Sequence, residues 1–209
     1  MKSTIYYVIL FAVVLFNGEM KAMAAAPNQK TVANLQEAFK GETTASAKYA
    51  AFSKKAREEG YDRIALMFDA TSKAEAIHAA NHKAVLVQLG AKVPEVSPEF
   101  AVKSTAENLE DALSGESYEI ATMYPDFLKD AQAEGVSLAL ISMNYAYQTE
   151  KKHKALYLNA IKALKDGAVN TLSNQYAVCS TCGNTYDTKA PARCGISMTP
   201  QERFINFSL

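Results

Sequence analysis

The stretch Asp69–His82, DATSKAEAIHAANH, decides the fold that this sequence predicts. Within it, Glu75 and His78 lie three residues apart in a window that reads as continuous helix. Three residues turn an α-helix by about 300°, so the carboxylate and the imidazole project from nearly one line on its surface. The same spacing returns at Glu150 and His153, so two of the three histidines follow a glutamate in this way. The pattern predicts two helices that each present a carboxylate and an imidazole together.

The hydrophobic periodicity predicts four long amphipathic helices. In the first, apolar residues recur at three- and four-residue steps from Leu35 to Phe52. A glycine that suits a helix C-terminus follows each segment. Pro94 and Pro98 exclude helix between the second and third segments, and Pro125 should kink the third. The predicted segments are 31–60, 61–89, 105–135 and 136–166.

These segments predict a mainly α fold built as a four-helix bundle. Short turns at Gly60 and Gly135 would join antiparallel neighbours. The linker 91–104 could reach about 46 Å when extended, which is about one helix length. It therefore suits a crossover from one end of the bundle to the other.

The two halves of the bundle also repeat in sequence. LQEAFKGE at 35–42 aligns with LEDALSGE at 109–116, and the two Glu-x-x-His motifs align at nearly the same offset. A duplicated helix pair that packs on itself about a pseudo-twofold axis brings equivalent positions to the same depth. Glu42 and Glu116 should therefore lie level with the two motifs.

One glutamate from each of two helices and a Glu-x-x-His from each of the other two is the ligand pattern of a ferritin-like two-metal carboxylate site. Carboxylates are hard ligands that bridge cations, and one imidazole per metal leaves an open position. The alternative is that these glutamates lie on solvated helix faces. Glu119, whose counterpart in the first half is Ala45, is a further carboxylate that should make the two metal positions inequivalent.

Three other polar residues near these motifs have two interpretations each. Tyr49 and Tyr124 follow the two Gly-Glu pairs by about two turns and could either hydrogen-bond the ligand carboxylates or pack in the core. His82 follows His78 by four residues but has no equivalent in the second half. We interpret it as a residue beyond the direct ligands or on the surface.

Four stretches together resemble rubrerythrins: GET…AKY at 41–49, EAIHAANH at 75–82, LEDALSGESYEIATMYPDF at 109–127 and TEKKHKALY at 149–157. The likeness extends from about Thr31 through the C-terminus. It implies a ferritin-like di-iron domain followed by a short rubredoxin-like module. The iron ligands that it implies are Glu42, Glu75, His78, Glu116, Glu119, Glu150 and His153, with Tyr49 and Tyr124 hydrogen-bonded around them.

The resemblance also implies a function. Rubrerythrins are NAD(P)H-linked peroxidases that work through partner proteins and reduce hydrogen peroxide to two waters at a non-haem di-iron site. An electron-donor protein and a homodimer or higher homo-oligomer are expected accordingly. Glu119, the unpaired carboxylate, is the candidate for a shift between the metals during the reaction. Two alternatives stay open: a ferritin-like ferroxidase, and a non-catalytic metal-binding bundle.

The C-terminal residues 168–209 depart from the family pattern. Cys179 and Cys182 form one Cys-x-x-Cys turn, but in the second turn Cys194 is followed by Ser197 at the position of the fourth thiolate, and Gly195 replaces the usual proline. The module could bind Fe or Zn through three cysteines, with Ser197 or the neighbouring Met198 as fourth ligand. It could instead hold a Cys179–Cys182 disulfide.

The N-terminal sequence indicates where the protein is located, and the overall charge indicates which partners it does not favour. Residues 1–26 are typical of a secretory signal peptide, with Lys2, the apolar run Ile5–Phe16 and the small pair Ala22 and Ala24. The run is shorter than the ~20 residues that cross a bilayer. The alternative is an uncleaved anchor. We expect export to the periplasm, a bundle over 27–167 and the module over 168–209. Lys+Arg and Asp+Glu balance at 22 each, which does not favour a nucleic acid partner.

Overall fold

The computed structural model describes residues 28–209, so the predicted signal peptide at 1–26 lies outside the described residues. Five α-helices and one π-helical segment come first along the chain, and three short strands follow. The helices are α1 Gln29–Glu58, α2 Asp62–Gln88, α3 Thr105–Tyr118, α4 Tyr124–Ala133 and α5 Ser137–Lys165, with the π-helical segment Glu119–Met123 between α3 and α4.

The third predicted helix is interrupted, but not by a simple kink at Pro125. The π-helical segment precedes it, and the N–H of Tyr124 donates to the carbonyl of Glu119, five residues back. Pro125 lies in the first turn of α4. Because proline has no N–H to donate to the carbonyl four residues earlier, an irregular turn before it is favoured. Such π turns occur frequently at functional sites.

The helices form the predicted ferritin-like bundle, and the fold class is confirmed. Gly60 and Gly135 end α1 and α4 with φ of 82° and 70°, a conformation that glycine adopts at little cost. The extended linker 91–104 separates the two hairpins. Among the described helices, none combines the length with the apolar composition that crossing a bilayer requires.

A three-stranded antiparallel sheet forms the C-terminal module. Its strands are β1 Gln175–Cys179, β2 Thr185–Tyr186 and β3 Phe204–Ser208, with β1 between the other two. In the register, Ala177 pairs with both Tyr186 and Asn206. The boundary that we placed at residue 168 stays a prediction and falls between α5 and β1.

Buried apolar clusters lie on both sides of the motif-bearing part of the bundle. One contains aromatic side chains such as Phe52 and Phe68, which pack edge to face with ring centroids 5.6 Å apart, and it continues into the module through Val178. The other contains Leu35 and Met143. The sheet therefore packs against the bundle through a shared core, which places it next to the motif of α2.

Candidate metal centre

Two groups of buried side chains meet inside the bundle, and in each group one ligand atom per residue lies within 4.8 Å of the others. All members are buried. The first group contains Glu42, Glu75, His78 and Glu150, and the second contains Glu75, Glu116, Glu150 and His153. Every Glu and His that the duplicated pattern singles out thus reaches the centre, whereas the solvated-face alternative would place them outside.

The carboxylates of Glu75 and Glu150 belong to both groups. Nδ1 of His78 lies 2.9 Å from Glu75 Oε2 and 2.9 Å from Glu150 Oε1. Nδ1 of His153 lies 3.0 Å from Glu75 Oε1 and 2.8 Å from Glu150 Oε2. Each carboxylate therefore offers one oxygen to each histidine, which is the arrangement of a bridging ligand.

The donor atoms at this centre fit a pair of cations. Eight of them are buried without a hydrogen-bond partner among the described residues: Glu42 Oε2, both carboxylate oxygens of Glu75 and Glu150, Glu116 Oε2, and Nδ1 of His78 and His153. Buried polar atoms are almost always satisfied, and clustered carboxylates without compensation are costly. Two metal ions would give these atoms partners, and hard carboxylates with one imidazole per metal suit iron.

Hydrogen bonds on the far side of each imidazole fix its orientation. His78 Nε2 donates to the carbonyl of Cys182 at 3.1 Å. His153 Nε2 lies 3.0 Å from Thr185 Oγ1, which already donates its own proton to Gly183, so the histidine must be the donor. Both rings therefore carry a proton on Nε2 and turn Nδ1 toward the centre, where Nδ1 would be the nitrogen that binds a metal.

The two tyrosines bind the terminal carboxylates in a crossed arrangement. The hydroxyl of Tyr49 donates to Glu116 Oε1 at 2.9 Å, and the hydroxyl of Tyr124 donates to Glu42 Oε1. Each tyrosine thus holds a carboxylate from the other half of the repeat. Burial, together with the charge of the carboxylate that it contacts, raises the pKa of each phenol well above its ordinary value.

His82 is fully buried and extends the Tyr124 side of this network, so the surface interpretation is wrong. Its Nε2 lies 3.1 Å from the Tyr124 hydroxyl, and its Nδ1 lies 2.8 Å from Ser142 Oγ. Burial lowers the pKa of His82 to about 3, so the ring is neutral at physiological pH. The equivalent position in the second half is Tyr157, whose hydroxyl donates to Thr71 instead. The two metal positions therefore differ in their surroundings.

The charges of the protein groups are strongly coupled at the centre. Burial and then the charge of Glu150 raise the pKa of Glu42 to about 8. For His78, burial is the largest single effect and acts to lower the pKa, but the charge of Glu150 and the hydrogen bonds to Glu150, Glu42 and Glu75 together outweigh it, so the pKa lies well above its ordinary value. For Glu150, burial is likewise outweighed, here by His78 and His153, and the pKa is lowered. Without metal the centre therefore retains protons on buried carboxylates and imidazoles, and bound cations would replace those protons.

Glu119 belongs to neither of the four-residue groups that the described residues form. It begins the π-helical segment, is half-buried, and lines an open cleft of about 710 Å³ together with Tyr49 and Gly115. Burial and then the charge of Glu42 raise its pKa well above the ordinary value, so it lies within the field of the centre. Its assignment as a direct iron ligand stays a prediction.

The three cysteines form a separate buried group in the module. All three are free thiols, so the structure does not contain the Cys179–Cys182 disulfide that the sequence left open. Ser197 Oγ lies 3.2 Å from Cys179 Sγ, whereas the Met198 side chain is 61% exposed. At the proline position of the family, the N–H of Gly195 donates to the hydroxyl of Tyr186.

Sequence reasoning missed the contacts that the module makes with the centre. Asn81 Nδ2 donates to the carbonyl of Thr181 at 2.9 Å, and Thr149 Oγ1 lies 3.3 Å from the carbonyl of Cys182. Thr185, which holds His153, carries no recognisable motif. These contacts depend on how the module packs on the bundle, so no local pattern could have identified them.

Comparison with known proteins gives the same assignment. The rubrerythrin family model matches residues 33–161. Nigerythrin of Nitratidesulfovibrio vulgaris is 36% identical over 193 residues, which cover 90% of this chain and 92% of that protein. Rubrerythrin of Porphyromonas gingivalis is 32% identical over 177 residues, which cover 84% of this chain and 88% of that protein.

A solved structure of nigerythrin in its fully reduced, all-ferrous state superimposes with a TM-score of 0.76 at 32% identity, and the match covers 99% of this chain and 100% of that one. These matches agree with the duplicated carboxylate–histidine centre and with the cysteine module that follows it. By its fold, its two-metal ligand set and its relatives, this chain belongs to the rubrerythrin family.

Proposed function

We propose that this protein is a non-haem di-iron peroxidase that reduces hydrogen peroxide to water in oxidative-stress defence. The observation that carries the proposal is the convergence of eight unpartnered buried donor atoms on two adjacent positions, beside a cleft open to solvent. Membership of the rubrerythrin family supports an oxidoreductase with a di-iron site.

The chemistry requires two electrons and two protons for each peroxide, and two ferrous ions bound here would supply one electron each to the O–O bond. The protein's part is to hold the ligands. Glu75 and Glu150, each with one oxygen toward each histidine, fix the separation of the two positions. Tyr49 and Tyr124 hold the terminal carboxylates of Glu116 and Glu42 in place.

Glu119 controls access in this proposal. It lines the open cleft and lies within the field of the buried centre, on a π-helical segment whose backbone is less regular than that of the flanking helices. In this proposal its carboxylate swings toward the centre or away from it while the helical bundle stays intact. We assign it the carboxylate shift that accompanies oxidation.

In this proposal an external donor protein passes electrons to the module, and the module passes them on to the two-metal centre. The backbone of Cys182 connects its thiol to the carbonyl that accepts the His78 Nε2 proton at 3.1 Å. One hydrogen bond therefore links the cysteine group to an imidazole of the two-metal centre.

We also propose a homodimer or higher homo-oligomer, which sedimentation of the iron-loaded protein would test.

Stopped-flow oxidation of the reduced, iron-loaded protein tests the peroxidase. We expect hydrogen peroxide to oxidise it at least tenfold faster than air-saturated buffer. Faster oxidation by air, with iron uptake well beyond two per chain, would support the ferroxidase instead. No turnover with any reductant would support a non-catalytic metal-binding bundle.

Replacement of Glu119 by Gln tests the proposed carboxylate shift. The variant keeps the size of the side chain but loses its charge, so we expect about a 10- to 100-fold slower reaction with peroxide and an unchanged iron content. Glu58→Gln, an exposed glutamate of α1 outside the cleft, serves as control. An unchanged rate in Glu119→Gln would remove Glu119 from the mechanism.

We also propose that residues 1–26 direct export to the periplasm and are then removed. The basic start, the short apolar run and the small residues at 22 and 24 support this. N-terminal sequencing of the protein from fractionated cells tests it. A start within a few residues of Ala24 in the periplasmic fraction is expected, and an intact Met1 in the cytoplasm would contradict it.

A further inference from the structure

The two turns of the cysteine module share one backbone hydrogen-bond pattern. In the first turn, Cys179 N–H donates to the carbonyl of Asn184 at 3.0 Å, and Gly183 N–H donates to the carbonyl of Cys179 at 2.9 Å. Gly183 has a φ of 77°, in the left-handed region. This turn presents Cys179 and Cys182 to the same side.

The second turn repeats that pattern residue by residue. Cys194 N–H donates to the carbonyl of Thr199 at 2.8 Å, and Met198 N–H donates to the carbonyl of Cys194 at 3.0 Å. Met198 has a φ of 59°, which is uncommon for a residue other than glycine. Met198 therefore occupies the place of Gly183, and Ser197 occupies the place of Cys182.

The positions of the side chains agree with this correspondence between the two turns. Ser197 Oγ lies 3.2 Å from Cys179 Sγ, and Cys182 Sγ lies 3.4 Å from Cys194 Sγ, so the serine oxygen joins the three sulfurs in one cluster. Thr199 Oγ1, 2.8 Å from Ser197 Oγ, holds that oxygen in place. The left-handed backbone turns the Met198 side chain into solvent, where it is 61% exposed.

We propose that Cys179, Cys182, Cys194 and the Ser197 hydroxyl oxygen form a four-coordinate site for Fe²⁺ or Zn²⁺, with three sulfur ligands and one oxygen ligand. Three thiolates select these metals over hard cations. A hydroxyl oxygen is a weaker ligand than a thiolate because it must lose its proton to bind well. The oxygen is nonetheless the donor that the fold places at the fourth position.

This ligand set gives the site properties that a four-thiolate site lacks. Ser197 is half-buried, so its weakly held position is within reach of solvent and small exogenous ligands. A site with one exchangeable position resembles open metal sites more than closed structural ones. With iron bound, the harder oxygen ligand favours the ferric state, so the reduction potential should lie below that of a variant with a fourth thiolate.

Cobalt(II) binding to the full-length protein tests the proposal. Thiolate ligation gives a sulfur-to-cobalt charge-transfer band, and cobalt at the glutamate–histidine centre lacks thiolates and gives none. We expect Ser197→Ala to weaken the binding reported by this band about 10- to 100-fold. Ser197→Cys should strengthen binding, raise the band intensity by about one-third because four thiolates replace three, and shift the ligand-field bands. Met198→Ala should match the wild type.

Three results would overturn the proposal: equal affinity and spectra for Ser197→Ala and wild type, an unchanged spectrum in Ser197→Cys, or weakened binding in Met198→Ala. Urea unfolding of each variant separates lost ligation from lost structure. The outcome does not depend on the peroxidase, because peroxide reactivity belongs to the two-metal centre. If Ser197 proved not to bind the metal, the reaction of the two-metal centre with peroxide would be unaffected. If the protein proved not to be a peroxidase, the cobalt spectra of the cysteine site would be unaffected.

Discussion

At the scale of single residues, the ligands differ in how many metal positions they serve. Glu75 offers an oxygen to each histidine, whereas Glu42 belongs to one group only. We therefore expect Glu75→Ala to lose both irons and Glu42→Ala to lose one of the two. Iron analysis after anaerobic reconstitution, with the exposed Glu37→Ala as control, measures this. Equal losses in Glu75→Ala and Glu42→Ala would contradict a shared carboxylate.

His82 supports the centre without touching a ligand. Its ring bonds the hydroxyls of Tyr124 and Ser142 in a fully buried place. His82→Phe keeps the ring volume but leaves both hydroxyls short of a partner, so the free energy of unfolding should fall by about 1–3 kcal/mol. Urea unfolding measures the loss. As a control, Lys83→Ala at the exposed neighbouring position should change the free energy of unfolding by less than about 0.5 kcal/mol. Similar changes in His82→Phe and Lys83→Ala would argue against a stabilising role for the hydrogen bonds of His82.

At the scale of elements, the turn after Cys182 fixes how closely the module approaches α2. A Cβ on Gly183 would lie 2.4 Å from His78 Nε2 and 3.1 Å from the carbonyl oxygen of Ala74, at a φ of 77°. Gly183→Ala therefore combines a left-handed backbone penalty with a clash, and we expect a loss of about 2–5 kcal/mol in stability. The clash should also displace His78 and lower the iron content.

The variant Gly90→Ala separates the backbone penalty from the steric clash. Gly90 has a φ of 67°, but a Cβ there would meet nothing within 4 Å. This variant should lose about 1–2 kcal/mol from the backbone alone and keep its iron. Urea unfolding measures the stability of the two variants, and iron analysis measures their metal content. If Gly183→Ala were no worse than Gly90→Ala, the contact between the turn and His78 would have no energetic importance.

The helical elements could be predicted from sequence because their signals are local. The three-residue spacing of Glu75 and His78 and the terminal Gly60 depend on one helix at a time. The π-helical segment could not be predicted, since Pro125 indicates a break but not which carbonyl the N–H of Tyr124 selects. The position of Ser197 likewise depends on a left-handed backbone at the next residue.

At the scale of the whole molecule, the centre is assembled by three parts of the chain that are distant in sequence. The duplicated hairpins supply the ligands, and the C-terminal module supplies the acceptors that orient His78 and His153. The repeat made the ligand set predictable. The role of Thr185 and the burial of His82 were not predictable, because both result from packing between elements rather than from a pattern within one.

The assembled charges make stability depend on both pH and metal. Burial and then the charge of Glu150 raise the pKa of Glu42 from 4.5 to about 8. The pKa of His153 is raised from 6.5 to about 9, because the charges of Glu75 and Glu150 and the hydrogen bonds to them together outweigh the effect of burial. Between pH 6.5 and 8 the folded metal-free chain thus holds protons that the unfolded chain has released. Their contribution to stability is fully present below the ordinary values and is lost as the pH rises through the raised ones.

We therefore expect the free energy of unfolding of chelator-treated protein to fall from pH 6.5 to pH 8, by up to about 2 kcal/mol for each such group. Bound iron displaces these protons, so the iron-loaded protein should show a flatter profile and a stabilisation that grows with pH. Urea unfolding of both forms at three pH values measures the difference. Metal-free Glu42→Gln should show a shallower slope, and a metal-free chain that gained stability toward pH 8 would contradict the buried, protonated cluster.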